Sequence, residues 1–199
     1  FDERYFVSEE IWLGLAIAVG CMVYGTWVRF GQLDAWRGAP DVYFPGGVPA
    51  TTELDAYYWL RWAQSQLSGT YQPDADDALR RYQVLQHPVG ESADFPDGAL
   101  LDWRDRRQPE RLPLLSWMLA TVAPIAGSVE YAGLYLVPVL ANLFLIPVFI
   151  YGWRIGSPAA GLLGGLIATF SVQYYARTSP GWIDTDCLNL LFPWVASLL

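Results

Sequence analysis

Residues 11–30, IWLGLAIAVGCMVYGTWVRF, run for twenty positions without an acid and with a single base, Arg29, near the end. As a helix such a run rises about 30 Å, the thickness of the hydrocarbon core of a bilayer. Trp27 and Arg29 close it as an aromatic and basic interface would. No small-residue cleavage site follows, and the apolar run exceeds the core of a secretion signal, so it is read as a retained span. The fold class that follows is an all-α integral membrane protein.

The rest of the chain extends that reading. Hydrophobic residues make up 53% of the 199, and between 113 and 199 the only charged side chains are Glu130, Arg154, Arg177, Asp184 and Asp186. A half so poor in charge belongs in the membrane. Residues 131–153 form a second expected span, interrupted by Pro138 and Pro147, which membrane helices accept when neighbours satisfy the freed carbonyls. Residues 158–175 form a third, with Gly161 and Gly165 at the small-xxx-small spacing that lets helix backbones approach. Residues 187–199 open a fourth. Residues 112–128 are apolar, but Pro113 and Pro124 leave only about ten uninterrupted positions, too few to cross; an interfacial helix is expected there.

The remaining charge is concentrated in the tail, 1–10, and in residues 31–111, which hold 13 acids and 8 bases. That stretch requires water. Together with the interfacial helix it makes a large loop, 31–130, carrying short helices. Arg154 lies in the tight connection between the second and third spans, and the positive-inside bias places such a turn in the cytoplasm. The N terminus is then cytoplasmic, and the loops 31–130 and 176–186 are external, or periplasmic. The tail, with four acids and one arginine, lends this orientation no support.

The net charge of −8 argues against a nucleic-acid or anionic-lipid surface as the main partner, since such partners call for clustered positive charge. All twelve cations are arginines, for which the sequence supplies no physical reason. Cys21 and Cys187 fall inside apolar segments and read as small core residues. His87, before Pro88, has no acid or thiol at ligand spacing and reads as structural. Residues 102–107 (DWRDRR) read as a solvated loop. Most tryptophans fall near span ends or in the external loop, as an aromatic belt does. No glycine-rich phosphate loop, Cys/His metal spacing or internal repeat is present.

Two stretches carry chemistry. In Trp182-Ile183-Asp184-Thr185-Asp186-Cys187 two carboxylates stand two residues apart where an aromatic, turn-forming stretch meets the fourth span. They read either as a site for a hard divalent cation or as caps of that span. In residues 51–63, TTELDAYYWLRWA, Leu54, Tyr57, Tyr58 and Arg61 fall at helical spacing, and Thr51 or Thr52 can cap. Asp55 then lies in the first turn, where the dipole favours an anion, as a second cap or as part of a site.

Together the stretches TTELDAYYWLRWAQ and YYARTSPGWIDTDCLNLLFP resemble the catalytic subunit of oligosaccharyltransferases, the Stt3/AglB/PglB family of GT-C membrane glycosyltransferases. The second matches the family's Gly-aromatic-x-Asp-x-Asp pattern and is the specific one; the first is weak alone. FPDGALLDW followed by LPLLSWMLATVAP is similar too, so the resemblance covers most of the chain. It implies metal-dependent, inverting transfer of a glycan from a polyprenyl (pyro)phosphate donor, a lipid-linked oligosaccharide, to asparagine of an acceptor protein at the external membrane face. It also implies Asp55 and Asp184 as catalytic and metal-binding residues, Asp186 as a further metal neighbour, and Mg²⁺ or Mn²⁺ as cofactor. Arg177 matches a family arginine that balances the acids or contacts phosphate; an interfacial anchor is the other reading. The family's third acidic contributor and its Trp-Trp-Asp acceptor motif are not among these 199 residues. The expected enzyme is thus represented by its N-terminal part. The alternative is a truncated, non-catalytic scaffold that binds other membrane subunits through its glycine-lined third span and its aromatic faces; in either case membrane lipids surround the chain.

Overall fold

The computed structural model describes residues 9–73, 109 and 111–199, and among them there is no strand. His87 and the DWRDRR stretch lie outside the described residues. Helix α1, Glu9–Phe30, breaks at Gly31 and is followed by α2, Gln32–Arg37. Trp12, Leu13, Ile17, Val23, Tyr24 and Trp27 of α1 are exposed. A row of large apolar side chains facing outward along a helix of this length is what lipid contact requires and water opposes.

A one-turn helix α3, Pro40–Tyr43, and a 3₁₀ turn at Pro45–Gly47 lead to α4, Ala56–Leu67. Helix α5, Leu114–Ala126, ends at Gly127, whose φ of 100° supplies the left-handed C-terminal turn. Ser128 then caps α6, Val129–Leu140, by accepting from the Tyr131 amide at 3.2 Å. The reversal makes α5 and α6 a hairpin, and α4 packs on it through Ala56, Leu60, Ala63, Leu115, Leu119 and Val129. At 13 residues α5 is about 20 Å long, shorter than a bilayer core.

Helix α6 continues into α7, Leu145–Arg154, through a turn at residues 141–144. The two form one apolar stretch, Val129–Arg154, and this and Ile11–Arg37 are the helical stretches long and apolar enough to cross a membrane among the described residues. The break has a local cause. Asn142 bonds back to Val139 rather than to Pro138, so the Pro138 carbonyl leaves the ladder. It accepts instead from Asn142 Nδ2 at 2.7 Å and Thr26 Oγ1 at 3.4 Å.

Helix α8, Pro158–Thr169, packs tightly on α7, and the small residues explain how. A Cβ added to Gly161 would lie 2.8 Å from the Val148 carbonyl oxygen, and one on Gly165 would lie 2.6 Å from Leu145 Cδ2. The expected third span is divided, with α8 ending at Thr169 and a short α9, Val172–Ala176, following Ser171. The chain ends in α10, Asp186–Asn189, and α11, Leu191–Ala196. Like α5, the helices Pro158–Thr169 and Asp186–Ala196 are apolar but short, so a count of four full spans does not follow from helix length.

Arg29 departs from its expected interfacial place. It is fully buried, and its five N–H groups all find acceptors. Nε donates to Thr178 Oγ1 at 3.1 Å; Nη1 to the Gly25 carbonyl and Asn142 Oδ1, each at 3.2 Å; Nη2 to the Thr169 carbonyl at 2.9 Å and Thr178 Oγ1 at 3.0 Å. The cation lies where α1 and α8 both end, beside their negative dipole ends.

Candidate active site

The two stretches singled out in the sequence meet. The Thr52 amide donates to the Gly181 carbonyl at 3.0 Å, and the indole Nε1 of Trp59 donates to Asp184 Oδ1 at 3.3 Å. Trp59 lies one helical turn beyond Asp55, the N-cap of α4, whose side chain is exposed. Gly181 has φ of 87°, and a Cβ there would lie 2.4 Å from the Trp36 ring. Trp36 is in turn stacked on Tyr43, with centroids 4.8 Å apart. A glycine is needed here for both reasons.

Ile183 anchors the acidic run. It is fully buried, and a Cβ on Gly133 of α6 would lie 2.4 Å from its Cδ1. Asp184 then faces the opposite way, partly exposed, and its Oδ1 also accepts from the Thr185 amide at 2.6 Å. Asp186 opens α10. Its Oδ1 accepts from Asn189 Nδ2 at 2.8 Å, and its Oδ2 stands 2.9 Å from Arg177 Nε, an ion pair not aligned as a hydrogen bond. The Arg177 guanidinium lies 5.6 Å from the centroid of the Trp182 ring.

These contacts bear on the capping alternatives. Thr185 is the N-cap of α10 and Asp55 that of α4, and neither side chain makes a capping bond. Asp184 is bonded to its neighbour's amide and to α4, and the Asp55 side chain is exposed. It is Glu53 that serves the start of α4, its Oε1 accepting from the Asp55 amide at 3.2 Å.

Burial pushes the Asp186 carboxyl above the usual carboxylate range. Arg177 opposes that shift, Asp184 adds to it, the Asn189 bond opposes it and Glu53 adds to it. Glu53 thus belongs to the electrostatic field of the pair, a place the sequence reading did not give it. Its only sequence signal was adjacency to Asp55. Trp59 was likewise missed as the group that joins the stretches, since an indole in an aromatic helix reads as packing.

Among the described residues no three His, Cys, Asp or Glu side chains come together as a metal-holding group. The donor chemistry of Asp184 and Asp186 suits a hard divalent cation, but two carboxylates make only part of its shell.

The family model described as oligosaccharyl transferase STT3, N-terminal, matches residues 44–199, which include both acidic stretches. The chain belongs to the STT3 family, as its N-terminal portion. Two similar proteins of this family are named undecaprenyl-diphosphooligosaccharide–protein glycotransferase. One, from Campylobacter jejuni subsp. jejuni serotype O:2 (strain ATCC 700819 / NCTC 11168), is 25% identical over 181 residues, covering 91% of this chain and 20% of that protein. The other, from Campylobacter jejuni (strain RM1221), is 32% identical over 82 residues, covering 41% of this chain and 11% of that protein. The STT3 chain described here therefore spans about a fifth of the length of the longer match. Its helical architecture agrees with a membrane GT-C glycosyltransferase.

Proposed function

We propose that this STT3 chain supplies the first acidic half of an oligosaccharyltransferase active site, transferring glycan from a polyprenyl diphosphate donor to an asparagine of an acceptor protein. The observation that carries the reading is the Trp59–Asp184 bond, because it brings the two separate acidic stretches to one place. The similar proteins are named for an undecaprenyl-diphosphooligosaccharide donor and a protein acceptor, and the same substrate classes are assigned here.

The roles follow from chemistry. A sugar leaving a diphosphate builds negative charge on the departing oxygens, and a Mg²⁺ or Mn²⁺ ion supplies the Lewis acidity that offsets it. Asp184 would hold that ion, with Asp55 and Asp186 beside it. The exposed Asp55 carboxylate also accepts a hydrogen bond from the acceptor amide. Arg177 would meet a phosphate oxygen, at the cost of loosening its pair with Asp186. The remaining ligands and the acceptor-binding motif come from outside the described residues. Inversion at the anomeric carbon, the external position of both loops and an interfacial α5 complete the proposal.

The scaffold alternative relied on the glycines of α8 together with exposed aromatic faces. Gly161 and Gly165 are used against α7 within the chain, which weakens it. Glycan transfer to an asparagine-containing acceptor peptide by the protein at its natural full length, with and without Asp184→Ala and Asp55→Ala, is the test. Transfer that survives both substitutions would refute the site.

A further inference from the structure

We propose that Arg29 is a positioning residue for this site, holding from inside the helix bundle the loop that presents Arg177 and Asp184; the assignment rests on the transferase reading above. Thr178, which accepts two of the Arg29 bonds, donates to the Tyr174 carbonyl and so links the cation to α9, the short helix that leads into the loop. One residue further on, Gln32 Nε2 donates to Ser179 Oγ at 2.9 Å, and Ser179 Oγ donates to the Tyr175 carbonyl at 2.7 Å. The guanidinium also faces the Tyr175 ring, 5.1 Å from its centroid. Residues 174–179 are thereby fixed from below by α1 and α2. Immediately after them Gly181 is held from above by the Thr52 amide. Arg177 projects from within the first of these attachments to Asp186.

Stability alone is a weak reason for such an arrangement. Burying a cation is expensive even when every donor is paired, and an apolar side chain of similar volume often serves a core as well or better. What the arginine adds is direction, since its planar fork fixes Thr178, Asn142 and Thr169 relative to one another, and no acid pairs with it among the described residues. A lysine keeps the charge but not the fork.

The experiment uses the full-length protein in detergent and compares wild type with Arg29→Met, Arg29→Lys, Arg177→Ala and the double variant Arg29→Met/Arg177→Ala. Amide exchange of residues 174–186 is expected to rise about tenfold in Arg29→Met and by less in Arg29→Lys, with α5 and α6 unchanged. In glycan transfer, Arg29→Met is expected to lower kcat about tenfold with the acceptor KM within about twofold. The two substitutions should not multiply, because the first acts through the loop that carries the second. Unchanged exchange at 174–186, an equal rise in every helix, or multiplicative losses would each overturn the proposal. If Arg29→Met does not accumulate as folded protein, Thr178→Val, which removes the acceptor of Arg29 Nε and one Nη2 bond, should show the same local rise in smaller degree, and its absence is equally fatal. If the wild type transfers no glycan, the transferase reading fails, and the exchange measurement still decides whether Arg29 holds the loop.

Discussion

Arg177 Nε stands 2.9 Å from Asp186 Oδ2, yet the Asp186 carboxyl remains above its ordinary range, because burial and the neighbouring acids outweigh the pair. In the unfolded chain Asp186 returns to a carboxylate's usual behaviour, near pH 4. Below that range the carboxyl is protonated in both states and its favourable contribution is complete. As pH rises the unfolded chain releases the proton first, so folded stability falls until the folded carboxyl has ionised too. Asp186→Asn does not titrate. Its melting temperature relative to wild type, measured in chelator-containing buffer, should therefore climb as pH rises above about 4. A gap that narrows over that range contradicts the assignment.

Trp59 offers the most direct probe of how the two acidic stretches act together. Trp59→Phe keeps a ring on α4 but removes the donor to Asp184 Oδ1. Bonds to a charged acceptor contribute about 1.5–3 kcal/mol when well made, and at 3.3 Å this one belongs at the low end. Transfer should fall about tenfold, with the acceptor KM nearly unchanged. Wild-type turnover in this variant means that Asp184 is oriented by its own loop.

The buried anchor of the same run predicts a stability effect. Ile183 is 1% exposed and lies directly against Gly133. Ile183→Ala opens a cavity expected to cost about 2–5 kcal/mol. Gly133→Ala places a methyl group 2.4 Å from Ile183 Cδ1, so that one of the two must move. Thermal unfolding should show both variants destabilised, and the double variant less so than the sum, since the smaller side chain makes room for the methyl group. Strict additivity would show that the two positions do not share this contact.

The divalent-metal dependence proposed for Asp184 and Asp186 has its own test. Chelation should abolish transfer, and added Mn²⁺ or Mg²⁺ should restore it. Asp184→Ala should stay inactive at any metal concentration. Asp186→Asn should recover in part as the ion is raised, because it removes a neighbour and leaves the proposed principal ligand, Asp184. Full activity after exhaustive chelation would remove the metal from the mechanism.

The sequence was most legible where a local rule applied. An acid-free run announced α1, the glycine spacing announced a close helix contact without naming its partner, and Asp184 and Asp186 stood out because a charge at the edge of an apolar segment needs a reason. The obscure features depend on distant partners. Nothing near Arg29 announces burial, since Thr178 and Asn142 are supplied by segments more than a hundred positions away. Glu53 and Trp59 gain their meaning only when residue 52 meets residue 181. The breaks at 141–144 and after Thr169 were hidden too, because composition reads apolar content through a turn whose carbonyls are satisfied by side chains elsewhere.

The α7–α8 interface yields a final prediction that also separates the enzyme from the scaffold. A Cβ on Gly161 meets the Val148 carbonyl at 2.8 Å and Gly152 Cα at 3.2 Å, both backbone atoms that cannot turn aside as a side chain would. Gly161→Ala should therefore force the helices apart, and a loss of about 1–3 kcal/mol is expected. A Cβ on Gly164, on the same helix, meets nothing within 4 Å, so Gly164→Ala should be close to neutral or slightly stabilising, as helix propensity favours alanine. If the glycines instead served an outside subunit, Gly161→Ala would leave the melting temperature of the isolated protein unchanged and impair assembly alone. Thermal unfolding of the two variants side by side distinguishes these outcomes without any assay of transfer.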